Sequence, residues 1–161
     1  MESRDFRSEV ALSNAAHAVS PGLGRGLYQR SLHPFHAFLL GGTVSFLVSG
    51  LLSDWLYFST HEIQWKNFAD WLIIGGLLFG GFALLWALVD VFRIARGRGR
   101  RLIAFVLLLA AFILGIIDEL VHAKDAWASM PDALILSAIV ALLAIAATVL
   151  CFSAPGGRVL R

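Results

Sequence analysis

One cysteine, four prolines and few charges leave this chain short of several options, and each scarcity excludes something. A lone Cys151 cannot close an internal disulfide, so no disulfide scaffold and no redox compartment follow. Charged residues make up 15% of the chain and hydrophobic residues 58%, against about a quarter and about a half in soluble domains. A soluble fold of 161 residues could not hide that much apolar surface, whereas a bilayer accepts it. No nucleophile elbow, phosphate-cradling glycine loop or paired-cysteine motif occurs. No cleavable signal is expected either: Ser8 to Val19 includes Asn14 and His17, and Glu2 and Asp5 sit among the first arginines.

What the chain does have is four long apolar stretches. The prolines punctuate them rather than interrupt them: Pro34 opens the first, Pro131 with Asp132 opens the fourth, and Pro155-Gly156-Gly157 ends it. A bilayer core needs roughly 20 helical residues, and the stretches predict helices at residues 35–58, 69–92, 102–122 and 133–152. Residues 1–30 read as a flexible cytoplasmic arm, jointed by Ser20, Pro21, Gly22, Gly24 and Gly26. Residues 31–154 form the membrane domain, and residues 155–161 a cytoplasmic tail.

Positive charge is unevenly placed. Eleven of the thirteen Lys and Arg residues lie in the N-terminal tail, the connector after the second stretch and the C-terminal tail; the other two connectors hold only Lys66 and Lys124. Basic residues resist translocation, so the chain reads as an all-α, integral membrane four-helix up-down bundle with both termini inside. Trp55, Tyr57, Trp65, Trp71 and Trp127 gather toward the opposite boundary, as an aromatic belt. The basic face suits anionic lipids better than nucleic acid. The Arg93–Arg101 run is too short, and too poor in aromatics, for a nucleic-acid tract.

Small residues mark expected packing faces. Gly41, Ser45, Ser49 and Ser53 recur every four residues on the first helix; Gly76, Gly80, Ala83, Ala87 and Asp90 share a stripe on the second. Helices in lipid associate through close backbone approach, so these stripes are expected to meet. On the third helix Ala104, Ala111, Gly115, Asp118 and His122 share a face that should look inward, because a lipid-facing Asp is expensive.

Ionisable groups collect at the outer end: Asp54, His61, Glu62, Asp118, Glu119, His122, Lys124 and Asp125. Glu119 and His122 are spaced i, i+3, and Asp118 and His122 i, i+4, the pattern of carboxylate–imidazole metal donors on helical bundles. His61, Asp118, Glu119 and His122, with Asp54, are therefore the candidate metal ligands. The plainer expectation is a hydrated mouth whose charges pair with one another, with no cofactor. A haem b would need His61 and His122 as axial ligands. At the inner end His33 and His36 share one helix and read as an interfacial helix start. His36, Asp54 and Asp90 could mark a proton path, but the middle of the bundle holds no ionisable relay.

Several of these segments resemble the bacterial membrane domain of unknown function 2231. They are His33-Pro34, Ser53-Asp54-Trp55-Leu56, the glycine-rich helix from Asp70-Trp71 to Val89-Asp90, the stretch Val121 to Trp127, and Leu134-Ile135-Leu136-Ser137. The likeness runs from about Ser31 to Phe152. It implies a four-helix integral membrane protein with no settled activity. Relatives encoded beside periplasmic quinone-dependent dehydrogenases make an electron-transfer subunit the alternative. This chain departs from many relatives at Phe38-Leu39, where they have Phe-Pro, and at Leu102-Ile103-Ala104, where they have a His. The expected role is a non-enzymatic inner-membrane anchor or assembly subunit for a periplasmic-face partner.

Overall fold

A computed structural model describes residues 32–93, 98–124 and 129–153. The N-terminal arm, the C-terminal tail, Asp125 and Trp127 lie outside the described residues. Four helices carry the chain: α1 (Pro34–Thr60), α2 (Ile63–Arg93), α3 (Arg98–His122) and α4 (Asp132–Phe152). All four are long and apolar enough to cross a membrane.

Local chemistry sets the ends. Pro34 occupies the first turn of α1, and the His33 side chain accepts from the Phe35 N–H at 3.3 Å. α1 stops at His61, whose backbone is left-handed at φ 61° and whose N–H donates to the Tyr57 carbonyl at 2.8 Å. α2 then begins at Ile63, six residues before the apolar stretch at Ala69 would suggest. Its extra turns contain Gln64, Lys66 and Asn67, which read as a connector in isolation.

Burial follows a three-four spacing on every helix. The inward residues are His36, Leu40, Thr43, Leu47, Gly50, Asp54 and Tyr57 on α1, and Ala69, Ile73, Gly76, Gly80, Ala83 and Ala87 on α2. On α3 they are Ala104, Leu108, Ala111, Gly115, Asp118 and His122, and on α4 Ala133, Ser137, Val140, Ala144 and Ala147. That spacing is the seam of gently crossing helices packed knob into hole. α1 packs on α2 and α4, and α3 packs on the same two, so the four close a ring. Contacts step backward along one partner as they step forward along the other: Gly50 meets Ile73 and Gly42 meets Phe79; Gly115 meets Leu77 and Gly81 meets Phe112.

The distribution of polarity is the reverse of a soluble protein. Trp71 is 74% exposed and Phe92 72%, while Asp54 and Asp118 are fully buried. Large apolar side chains cover the outside, where lipid tails are their natural solvent, and small or polar ones line the seam. Tyr57 departs from the expected aromatic belt: it is buried in the bundle, whereas Trp55 and Trp71 are exposed.

The small-residue stripe expected on α1 is corrected. Gly41, Ser45 and Ser49 are exposed, and a Cβ on Gly41 would meet nothing within 4 Å. α1 instead presents larger residues to glycines of α2. A Cβ on Gly76 would lie 2.8 Å from Leu47, one on Gly75 2.9 Å from Phe46, and one on Gly80 3.3 Å from Thr43. Each helix offers hollows that the other fills, for a Cβ on Gly42 of α1 would in turn meet Phe79 of α2 and one on Gly50 would meet Ile73, so small residues need not face small residues.

Candidate functional site: a buried aspartate–histidine–serine network

The inward seam brings four polar side chains from three helices to one place. Asp54 lies near the end of α1, Asp118 and His122 one turn apart near the end of α3, and Ser137 in the second turn of α4. All are buried, and both His122 and the aspartates exclude solvent almost entirely. His122 Nε2 lies 2.8 Å from Asp54 Oδ1. Its other nitrogen, Nδ1, lies 2.9 Å from the Asp118 backbone carbonyl and 3.4 Å from Asp118 Oδ1. The Ser137 hydroxyl makes a short contact with Asp54 Oδ2 and lies 3.0 Å from Asp118 Oδ2.

α2 joins the same end from outside the network. Lys66 Nζ donates to the His122 carbonyl at 2.6 Å and lies 3.5 Å from Asp70. A cation on the last carbonyl of α3 satisfies an orphan acceptor and opposes the negative end of the helix dipole. This bond explains the early start of α2: the helical turn around Lys66 has a partner that no neighbour in sequence reveals.

Of the candidate metal ligands, Asp54, Asp118 and His122 are brought together. Glu119 is half-buried, and its buried Oε2 accepts no hydrogen bond. His61 sits at the exposed cap of α1. Among the described residues no group of three or more His, Cys, Asp or Glu is arranged to hold a metal ion. Both ring nitrogens of His122 already face protein acceptors, so metal or haem iron would have to displace Asp54 or Asp118 to gain a ligand. The Ser137 hydroxyl faces two carboxylates rather than the imidazole, so it is not arranged as a serine–histidine pair.

The expected hydrated mouth is revised in part: Asp118 does pair with His122, at 3.4 Å between Oδ1 and Nδ1, but away from solvent. The carboxylates and the imidazole are sealed inside the seam, with Tyr57 and Ala133 buried nearby in sequence, and not spread over a wet rim. Ser137 and Lys66 escaped notice as site residues. Ser137 carries a visible signal, a hydroxyl inside the otherwise apolar run Ala133–Val140; Lys66 carries none beyond its being alone.

The opposite end holds a second, looser group. His36 is buried rather than interfacial, and its Nδ1 lies 4.0 Å from Asp90. Trp86 roofs it, with ring centroids 6.1 Å from His36 and 4.9 Å from His33. Between the two ends, Thr43 donates to its own helix at the Leu39 carbonyl, 2.8 Å away. Beside it an interstice of about 10 Å3, lined by Leu47, Gly76, Gly80 and Ala111 among others, has room for about one water.

A four-helix membrane domain with this arrangement has a counterpart among known families. The family described as a predicted membrane protein, DUF2231, matches residues 32–156. The chain belongs to this family. The DUF2231 match spans all four helices and every member of the buried network. No curated protein and no solved structure matches the chain.

Proposed function

We propose that this DUF2231 protein is a non-enzymatic multi-pass subunit of the bacterial cytoplasmic membrane, anchoring or assembling a partner at the periplasmic face. Its four helices run up and down with both termini in the cytosol. The concentration of arginines in the tails and in the α2–α3 connector favours that orientation, and the opposed contact order of neighbouring helices favours the up-down path. Anionic lipid headgroups are the natural counter-charge for the arginine-rich face.

The observation that carries the reading is the inward closure of the network. Asp54, Asp118, His122 and Ser137 bond chiefly to one another, with Asp118 Oδ1 left without a hydrogen bond, an inward-facing set that suits a rigid scaffold better than a carrier or a catalyst. At this end Glu62 of the α1–α2 connector and Gln64 in the first turn of α2 are exposed to a partner. Photo-crosslinking amino acids at Glu62, Gln64 and, on the opposite side, Gly99 test this in living cells. A discrete adduct to another protein from the first two positions and none from Gly99 is expected. Adducts confined to lipid would overturn it. So would a purified protein with a Soret band, or with stoichiometric metal lost in His122→Ala, which would favour the electron-transfer alternative.

A further inference from the structure

We infer that the network is a binding site for one exchangeable proton beyond the ordinary ionisation of its members, shared by Asp54 and Asp118 through Ser137. The inference goes beyond the anchoring role and does not depend on it. It rests on counting hydrogens against contacts, since every close contact between two acceptors in a sealed site needs a hydrogen between them.

The count begins at His122. Its Nδ1 faces the Asp118 carbonyl, which only accepts, so Nδ1 carries a hydrogen. A second hydrogen lies between Nε2 and Asp54 Oδ1 and stays on the imidazole, the stronger base, so the pair is neutral as imidazolium and carboxylate. The Ser137 hydroxyl has one hydrogen and two carboxylate neighbours, Asp54 Oδ2 and Asp118 Oδ2. If it donates to Asp54, the contact with Asp118 becomes a full two-centre bond when an Asp118 carboxyl O–H donates to Ser137 Oγ, stronger than one hydrogen shared between two carboxylates. If it donates to Asp118, Asp54 is the donor to Oγ. Either way one aspartyl oxygen bears a hydrogen. The two arrangements interconvert when the carboxyl hydrogen passes to Oγ as Oγ releases its own to the other aspartate, with no change in the total.

Charge leads to the same count. With both aspartates ionised and His122 doubly protonated the network would carry a net negative charge in a site walled by lipid-facing helices. The extra proton makes it neutral, which burial in low dielectric favours. The surrounding charged groups do not supply the compensation. On α2, Lys66 is engaged by Asp70 and the His122 carbonyl, and the other nearby ionisable side chain on α3, Glu119, would add negative charge if ionised. α4 contributes the hydroxyl of Ser137.

Infrared spectroscopy of the full chain in lipid nanodiscs at neutral pH reads this directly. The wild type should show the C=O stretch of one protonated carboxyl, moving on exchange into D2O and on labelling aspartate carboxyls with 13C. Asp118→Asn should abolish it, because the amide N–H then donates to Ser137 without a carboxyl hydrogen, while Glu119→Gln should retain it. Should Asp118→Asn fail to fold, Asp54→Asn carries the same expectation. Absence of the band in the wild type, its indifference to aspartate labelling, or its persistence in Asp118→Asn would overturn the inference.

Discussion

Replacing His122 by alanine leaves Asp54 and Asp118 on either side of Ser137 without the imidazole that contacts both. Removing one partner of a buried charged pair costs about 3–5 kcal/mol, and His122→Ala is expected to destabilise the protein by that order, measured by denaturant unfolding in detergent micelles. Glu119→Gln, one residue from Asp118 but outside the hydrogen-bonded network, should shift the same curve by no more than about 0.5 kcal/mol. Equal effects of the two would mean that the network is not what stabilises this end. Asp54, Asp118 and His122 were legible in the sequence because ionisable groups inside apolar stretches must face inward. Their mutual geometry was not, because the register between α1 and α3 depends on packing that no spacing within one helix encodes. Ser137 was overlooked for a related reason. A hydroxyl can always bond back to its own helix, as Thr43 does with Leu39, so only its neighbours reveal that Ser137 bonds across helices.

At the scale of elements, the spans emerge from hydropathy alone, and their inner and outer faces only in part. The α3 face was readable since its small and ionisable residues coincide. On α1 the small residues divide: Gly41, Ser45 and Ser49 lie toward lipid, while Gly50 and Ser53 lie inward with Leu40, Thr43 and Leu47. Small side chains permit close approach but do not compel it, and here hollows occur on both α1 and α2. Gly76→Ala, whose new methyl would lie 2.8 Å from Leu47, is expected to destabilise by about 1–3 kcal/mol. Gly41→Ala enters open space and should be neutral or stabilise by up to about 1 kcal/mol through helix propensity. Thermal unfolding of the two variants separates the cases, and a larger loss at Gly41 would restore the discarded stripe.

For the molecule as a whole, lipid is the solvent that makes the pattern coherent, with tryptophans and phenylalanines outside and aspartates within. Orientation is the part that charge decides. Reporters fused to either terminus are expected to be active only when their activity requires the cytosol, and reversing the charge of the Arg93–Arg101 run should weaken that preference. A periplasmic signal from either end of the native sequence would reject both termini inside. One polar knot holds α1 to α3 and α4 within the apolar bundle. A double-mutant cycle between Asp54→Asn and His122→Gln, read by unfolding in lipid micelles, tests it most directly. A coupling of about 1 kcal/mol or more is expected for residues in direct contact within one network; additive losses would contradict the claim.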